Sequence, residues 1–316
     1  MTPARVRIAT RASALALRQA ELVAAGLSRI SPDLAVEIVP VTTAGDRASA
    51  AGRATGAVGA FTREIDRAVL EDEADLAVHS LKDLPIAPVE GIVLGAVPLR
   101  EDPADVLCAR TSLTIETLPP GAVVGAGGPR RRALLLCRRP DLRVETIRGN
   151  VETRLRKLHD HLEMAAIVLA AAGLRRLRRG AAISQRFDPR EWLPAPGQGA
   201  LAVTRRAGDD KMASLVFRLD DGLSRAAVTA ERAFLAEADA GCRAPVGALA
   251  DWRGGCLHLR AMLASLDGSI ILTDELTDDT GDAIGLGRRL AGRMIAAGGG
   301  AILDRARAES REATHE

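Results

Sequence analysis

The stretch Leu76-Ala77-Val78-His79-Ser80-Leu81-Lys82-Asp83 begins with apolar residues and ends with polar and charged ones. Its first five residues are typical of a short buried strand, and its polar end is typical of the point where a strand of an α/β sheet meets a ligand. A helix is predicted before this strand, over Phe61–Asp72, and another strand after it, over Ile92–Val97. The stretch therefore places this part of the chain in the α/β class.

The same alternation of strand and helix begins at the N-terminus. Strands are predicted over Arg5–Thr10 and Val36–Val41, and a helix capped by Ser13 is predicted to run to about Ser28. The segment Thr42–Gly59 is rich in Gly, Ala, Thr and Ser and has no periodicity. A loop of this length within a compact domain usually has a function or is disordered, and we expect this one to cover a ligand.

A second run of strands and helices starts after Pro103. Its strands are predicted over Val106–Ala109, Val123–Gly125, Arg143–Ile147 and Ala166–Ala170, and its helices over Arg130–Cys137, from about Asn150 and near Leu174. The Pro- and Gly-rich segment Leu193–Gly199 precedes a further strand, Ala200–Thr204, and is expected to cross between lobes. Two runs of βα units predict two α/β lobes with parallel sheets and right-handed crossovers.

The last part of the chain, from Ser224, has a different pattern. It predicts a helix, three strands and a second helix, over Arg225–Ala238, Val246–Asp251, Leu257–Ala264, Ile270–Glu275 and Asp282–Ala297. Strands that follow one another without intervening helices are typical of an α+β domain. The predicted architecture is therefore two α/β lobes followed by a small α+β C-terminal domain.

The composition argues against several classes of protein. A net charge of +2 is too small for a protein that packages nucleic acid, and 2% aromatic residues leave few platforms on which bases could stack. The basic run Arg175–Arg179 lacks aromatic partners, so no nucleic-acid partner is expected. No apolar run is long enough to span a membrane, and the N-terminus lacks the apolar core of a signal peptide. These features favour the cytoplasm and no membrane partner.

The cysteines and histidines point to free thiols and to no metal site. None of the four cysteines forms a CxxC pair, and the five histidines are scattered along the chain. Cys108 and Cys137 lie in apolar patterns that are typical of buried thiols. Cys242 differs, because Gly241 leaves it room and Arg243 would favour its thiolate form. Cys242 is therefore the candidate reactive thiol, the alternative being a buried apolar cysteine like the others.

Arginines recur where predicted strands meet predicted helices. They are Arg11, Arg130, Arg131, Arg148 and Arg154. In open α/β sheets, ligands bind beyond the carboxyl ends of the strands, where helix N-termini offer free N–H groups. One such arginine is usually a solvated surface residue, but three junctions with the same pattern favour a polyanionic organic ligand.

Ser80, Lys82 and Asp83 lie together at the end of the predicted buried strand. Lysine supplies a mobile positive charge, and an aspartate can act as an acid, as a base or as the stabiliser of a cation. The alternative is a Lys–Asp pair on a surface turn, which contributes little to stability. Taken alone, these residues leave a catalytic site and a surface turn about equally open.

Five motifs resemble the porphobilinogen deaminase (hydroxymethylbilane synthase) family. They are IATRASALAL (residues 8–17), AVHSLKDLP (77–85), RGNVETRL (148–155), LPAPGQGA (193–200) and GCRAP (241–245). They follow one another in the family's order and spacing over nearly the whole chain. Several independent motifs in register are far more specific than any one of them.

The resemblance implies a three-domain fold whose domains 1 and 2 are similar to the lobes of periplasmic binding proteins. Domain 1 would comprise residues 1–99 with 200–217, domain 2 residues 100–199, and domain 3 residues 218–316. The implied protein is a monomer that joins four porphobilinogen molecules stepwise on a dipyrromethane cofactor, itself attached to Cys242 by a thioether. Each step would release ammonia, and water would finally release hydroxymethylbilane.

The resemblance also implies roles for the residues that match the family's motifs. Asp83 would be the catalytic carboxylate, which assists departure of the amine and stabilises the positive charge that results. Besides Cys242, the residues that match cofactor contacts are Ser80, Lys82, Gly127, Gly128, Arg130 and Arg131. Those that match substrate contacts are Arg11, Ser13, Phe61, Arg148, Arg154, Arg176 and Gln198. The guanidinium groups suit the acetate and propionate groups of each pyrrole.

Three positions depart from the family's pattern. Ala126-Gly127-Gly128-Pro129 stands where Thr-Ser-Ser-Leu is usual, so hydroxyl contacts to the cofactor are lost and backbone N–H groups would take their place. Val58 stands for the usual lysine of the glycine-rich loop, and Ala165 stands where an aspartate is often found. The alternative to the enzyme is therefore a catalytically impaired, two-lobed anion-binding protein that has kept the scaffold.

Overall fold

The computed structural model describes residues 5–50, 59–239, 244–279 and 281–315. The strands in chain order are β1 (Arg5–Arg11), β2 (Ala35–Val41), β3 (Leu76–Ser80), β4 (Ile92–Ala96), β5 (Asp105–Ala109), β6 (Val123–Ala126), β7 (Arg143–Thr146), β8 (Met164–Ala170), β9 (Gln185–Arg186), β10 (Leu201–Arg206), β11 (Val246–Arg253), β12 (Cys256–Ala264) and β13 (Ile271–Asp278). The α-helices are α1 (Ala14–Ile30), α2 (Ala44–Ala50), α3 (Arg63–Leu70), α4 (Pro129–Arg138), α5 (Val151–Asp160), α6 (Ala171–Arg176), α7 (Asp210–Phe217), α8 (Gly222–Glu237), α9 (Ala283–Met294) and α10 (Gly300–His315).

The chain divides into two compact units. Residues 1–101, 176–178 and 199–225 form the first, and residues 102–175, 179–198 and 226–316 form the second. Each unit combines sheets with helices, so the predicted α/β class is confirmed. The division into three domains stays a prediction.

A five-stranded sheet in the order β2-β1-β3-β10-β4 forms the centre of the first unit. β1 is parallel to β2 and β3, whereas β10 is antiparallel to β3 and β4. The prediction of a wholly parallel sheet is therefore wrong, because β10 joins the sheet on the return of the chain after Gly199 and runs the other way. The returning strand itself, which the resemblance implied, is present. Ile8, Leu76 and Val203 are fully buried in the core that the sheet forms with α1 and α7.

A second five-stranded sheet, in the order β7-β6-β8-β5-β9, lies in the second unit. β6 is parallel to β7 and β8, but β5 is antiparallel to β8 and β9, so this sheet is mixed as well. Successive residues of a strand face opposite sides of its sheet. Val168 accordingly packs in a cluster with Leu135 of α4, and Leu169 packs in another with Leu158 of α5.

The strands β11, β12 and β13 form a three-stranded antiparallel sheet, also in the second unit. Helices α8, α9 and α10 supply Phe234, Leu286 and Leu303 to the core beside it. A Cβ at Gly287 would lie 2.4 Å from the carbonyl oxygen of Ala230, so glycine allows α9 to approach α8 closely. The predicted α+β region at the end of the chain is confirmed.

Three helical segments differ from the sequence predictions. The predicted loop Thr42–Gly59 contains α2, whose first turn is capped by Thr43 Oγ1, which accepts a hydrogen bond from the Asp46 N–H at 3.1 Å. Residues 51–58 of that segment, Val58 among them, lie outside the described residues. Helix α7 was not predicted, and neither was α10, which follows α9 after Gly298 adopts a φ of 101°.

The prediction that Cys108 and Cys137 are both buried is half right. Cys108 is buried on β5, and burial raises the pKa of its thiol to about 12. Cys137 is exposed. Cys137 lies in the last turn of α4, whereas residues 133–135, one turn earlier, pack against the core.

Asp105, at the start of β5, is fully buried and pairs with two arginines of α4. Arg131 Nε and Nη2 donate to Oδ1 at 3.1 and 2.7 Å, and Arg130 Nη2 lies 2.8 Å from Oδ2. The side chains of Gln198 and Trp192 donate to the same carboxylate at 2.9 and 3.1 Å. Burial alone would raise the pKa of Asp105, but the two guanidinium groups and the hydrogen bonds hold its pKa far below the usual value.

Replacing Asp105 with asparagine should destabilise the protein strongly. The Asp105→Asn change leaves two buried guanidinium groups without their shared anion, so we expect a loss of about 3–5 kcal/mol in the free energy of unfolding at pH 7. Urea unfolding followed by circular dichroism measures it. The matched control is Asp141→Asn, whose exposed pair with Arg139 should contribute little.

The pH dependence of this difference has a fixed direction. A carboxyl group whose pKa is lowered by folding stabilises the fold above its ordinary pKa and loses that contribution as the pH falls. The difference in free energy of unfolding between the wild type and Asp105→Asn should therefore become smaller as the pH falls below about 4. A gap that widens toward acid pH would contradict the assigned ion pairs.

Candidate functional site

The end of β3 presents the residues that the sequence singled out. Ser80 closes the strand, and Leu81–Asp83 form a single 3₁₀ turn after it. Leu81 is buried and its N–H donates to the carbonyl oxygen of Ala200 at 3.0 Å, which anchors the turn. Lys82 and Asp83 are exposed. The apolar strand thus carries an ammonium and a carboxylate to the surface at a fixed point.

Arg11 lies at the end of the neighbouring strand β1 and is held on two sides. Its Nε donates to Asp46 Oδ1 at 3.1 Å, and its Cζ lies 4.3 Å from the centre of the Phe61 ring, as in a cation–π contact. Burial would raise the pKa of Asp46, but hydrogen bonds from Arg11 and Thr43 lower it below the usual value. The guanidinium group of Arg11 is therefore oriented before any ligand binds.

A small cavity brings four of the predicted residues together. Arg11, Phe61, Ser80 and Asp83 all line it. The other polar residues of its wall are Gln19, Thr62 and His79, and the sequence motifs assigned no role to them. Gln19 lies one helical turn past Ala16 on the buried face of α1, and its Nε2 donates to Ser80 Oγ at 2.8 Å. A polar residue on an otherwise apolar helix face was the signal that could have found Gln19.

His79 and Asp66 form a buried polar pair beneath the end of β3. His79 Nε2 lies 3.9 Å from Asp66 Oδ1, which is too long for a hydrogen bond. Burial and, to a lesser extent, the positive charge of Arg11 lower the pKa of His79 to about 4. Burial raises the pKa of Asp66 to about 6, against a hydrogen bond from Thr62. The imidazole is therefore neutral at pH 7.

Two other predicted residues of the first unit have structural partners. Ser13 caps α1, and its Oγ accepts the N–H of Ala16 at 3.4 Å. Arg176 Nη2 donates to the carbonyl oxygen of Gly199 at 2.7 Å. Burial lowers the pKa of Arg176 to about 10, so the group remains a cation at neutral pH. Neither residue lines the cavity described above.

In the second unit, the unusual glycine segment accommodates an arginine. Arg154 Nε donates to the carbonyl oxygen of Gly149 at 2.8 Å, and a Cβ at Gly127 would lie 2.4 Å from Arg154 Nη1. Gly128 has a φ of 126° and precedes Pro129, the first residue of α4. Serine residues at 127 and 128 would meet a clash at the first position and backbone strain at the second.

The remaining predicted residues of the second unit divide into one exposed residue and three buried ones. Arg148 is exposed, and its carbonyl oxygen accepts from Lys157 Nζ at 3.3 Å. Arg130, Arg131 and Gln198 are buried around Asp105. Cys242 lies outside the described residues. The predicted site residues thus fall in both units.

The donor set of the second unit fits a carboxylated cofactor. Arg130 and Arg131 are two cations that share the carboxylate of Asp105, and the guanidinium of Arg154 lies against Gly127. The shared carboxylate leaves this cluster with a positive charge that an anionic group would balance. Dipyrromethane with acetate and propionate groups is a ligand of that kind.

The described residues hold neither a cluster of metal ligands nor a helix that could span a membrane. In residues 5–50, 59–239, 244–279 and 281–315, no three His, Cys, Asp or Glu side chains are grouped so that they could hold a metal ion. Over the same part of the chain, no helix has both the length and the apolar character needed to cross a membrane.

Two solved structures overlap with about two thirds of this chain at low sequence identity. The methionine binding protein MetQ overlaps with a TM-score of 0.45 and 13% identity, over 69% of this chain and 89% of that chain. The periplasmic VFT2 domain of BvgS from Bordetella pertussis overlaps with a TM-score of 0.41 and 17% identity, over 68% of this chain and 86% of that chain.

Family models and curated relatives match nearly the whole chain. The model of the porphobilinogen deaminase dipyromethane cofactor binding domain matches residues 6–214, and that of the porphobilinogen deaminase C-terminal domain matches residues 225–296. Porphobilinogen deaminase of Pelotomaculum thermopropionicum is 44% identical over 97% of this chain and 98% of its own length. That of Thermobifida fusca is 47% identical over 96% of both chains. The chain belongs to the porphobilinogen deaminase family.

Proposed function

We propose that this chain is an active hydroxymethylbilane synthase, a transferase of porphyrin biosynthesis. It would join four porphobilinogen molecules head to tail, with the loss of one ammonia at each step, and release the linear product by the addition of one water. The observation that carries the proposal is that Asp83 and Arg11, which follow or end adjacent strands, line the same cavity in a chain of this family.

Asp83 is the proposed catalytic carboxylate. Its side chain is exposed at the end of a buried strand, and the turn that carries it is anchored by the Leu81–Ala200 hydrogen bond. A carboxylic acid in that position can protonate the departing amine, which leaves as ammonia. The resulting carboxylate can stabilise the positive charge that then develops on the pyrrole. Lys82, its neighbour, is proposed to bind a carboxylate of the cofactor.

The substrate's carboxylates are the proposed ligands of the arginines. Each porphobilinogen carries an acetate and a propionate, and a guanidinium group binds a carboxylate in bidentate fashion. Arg11 is already oriented by Asp46 and Phe61, so less conformational entropy is lost when it binds. We assign Arg148, Arg154 and Arg176 to the same role, with Ser13 and Gln198 as further polar contacts.

The cofactor is proposed to be held by Cys242 through a thioether and by Arg130, Arg131 and the backbone at Gly127 and Gly128. When bound, the dipyrromethane supplies the free pyrrole position to which the first substrate is joined. The chain's own contribution is to balance the carboxylates of the cofactor with guanidinium groups and to keep the cofactor tethered. The predicted location in the cytoplasm and the monomeric state belong to this proposal, and they rest on the sequence and the family resemblance.

A catalytically impaired anion-binding protein is the second candidate, favoured by the changes at residues 126–129. It would retain the arginines without the tethered cofactor. The two candidates differ in the state of Cys242 and in whether porphobilinogen releases ammonia.

The covalent cofactor should be visible in the untreated protein. We expect the intact mass to exceed that of the chain by one dipyrromethane unit, and Ehrlich's reagent to give a colour with the purified protein. Cys242→Ser should remove both signals, whereas Cys137→Ser, which changes an exposed cysteine, should keep them. An unmodified wild-type mass together with no ammonia release would favour the anion-binding protein instead.

Loss of the Asp83 carboxylate should abolish most turnover. We expect Asp83→Asn to lower kcat by about 10²–10⁴-fold, the usual contribution of a positioned acid or base, with the melting temperature unchanged because the side chain is exposed. Ammonia release from porphobilinogen measures kcat. Asp33→Asn, at another exposed aspartate of the first unit, is the control. A kcat within threefold of the wild type would remove Asp83 from the mechanism.

Restoring a serine at position 127 should weaken substrate binding rather than improve it. The new Cβ would lie 2.4 Å from Arg154 Nη1 and displace the guanidinium group, so we expect Gly127→Ser to raise KM for porphobilinogen about tenfold. The double variant with Arg154→Ala should bind no worse than Arg154→Ala alone. Independent, additive effects of the two changes would show that Gly127 does not act through Arg154.

A further inference from the structure

His79 carries a buried polar atom that no side chain satisfies. The residue is 5% exposed, and among the described residues its Nε2 has no hydrogen-bond partner. Asp66, at 3.9 Å, is beyond hydrogen-bond distance. An unpaired buried nitrogen costs free energy, and such atoms are usually satisfied by an ordered water.

The cavity at the end of β3 has room for such a water. Its volume is about 20 Å³, which is enough for one water molecule. His79 lines it together with Ser80, Thr62 and the exposed Asp83. A buried water needs two to four polar partners, and this wall offers them.

The charges around the cavity favour a neutral ligand. Arg11 lines it, and the positive charge of Arg11 is one reason why the pKa of His79 is low. An ammonium ion would meet that guanidinium group, and it could not accept a hydrogen bond. Water can donate to a carboxylate and can also donate to, or accept from, a neutral imidazole.

We propose that this cavity binds one water molecule that joins His79 Nε2 to the Asp83 carboxylate, and that His79 is thereby a positioning residue for Asp83. The inference rests on the proposed function, because it assigns His79 a part in the same reaction. Asp83 lies in an exposed turn. A hydrogen bond from a water that is itself held by the buried imidazole would restrict the rotamers of the Asp83 side chain. His79 itself touches neither substrate nor cofactor.

A crystal structure of the cofactor-loaded protein tests the site directly. At a resolution of about 1.5 Å, we expect a water peak within hydrogen-bond distance of both His79 Nε2 and an Asp83 carboxylate oxygen. A cavity without a peak, or an Nε2 bonded directly to Asp66, would overturn the proposal. This measurement needs no substitution, so it holds even where a variant fails to fold.

Kinetics of two His79 variants test the positioning role. We expect His79→Leu to lower kcat about tenfold, the scale of one hydrogen bond, and to leave KM for porphobilinogen and the covalent adduct unchanged. His79→Gln, which can still bond to water, should recover most of kcat. His159→Leu, at an exposed histidine of α5, is the control. An unchanged kcat in His79→Leu, or equal losses in both variants, would overturn the role.

The proposal and the proposed function fail in different ways. A wild-type protein without adduct and without turnover would remove the function, whatever the density in the cavity. A wild-type protein that turns over porphobilinogen, combined with an empty cavity or insensitive His79 variants, would remove the water site alone.

Discussion

The fold of the second unit depends on two guanidinium groups that are buried on a single carboxylate. Burial removes Arg130 and Arg131 from water, which is unfavourable. Asp105 and the carbonyl oxygens of Leu193 and Val168 offset that loss of hydration. The arrangement ties α4 to β5, β8 and the segment before β10. Because the two cations share one carboxylate, the cluster keeps a positive charge inside the second unit.

In the first unit, the sheet places the carboxylate of Asp83 at a defined position. β3 is a central strand with neighbours on both sides, and its last residue leads directly into the turn that carries Asp83. The adjacent ends of β1 and β3 bring Arg11 within the same cavity wall. Rigid strands therefore position groups whose side chains remain accessible.

Local sequence was enough to predict most strands and helices, since their apolar patterns and caps are local properties. Strand direction was not, because β10 pairs with residues more than a hundred positions earlier in the chain. Helix α2 was not predicted, although Thr43 and Asp46 form a cap, because the segment Thr42–Gly59 shows no apolar periodicity. The motifs identified Asp83 and Arg11, but neither the orphaned Nε2 of His79 nor the contact between Arg154 and Gly127 has a sequence signature. Both depend on side chains that only the tertiary structure brings together.

The position of β10 has a consequence for the order in which the protein forms. It lies between β3 and β4, so the first sheet is incomplete until the ribosome has delivered residues up to Arg206. The second sheet ends at β9, and all its strands have emerged by Arg186. A nascent chain can thus finish the later sheet while the earlier one still has an open gap in its middle. The facing edges of β3 and β4 therefore stay unpaired longest in the N-terminal half of the growing polypeptide.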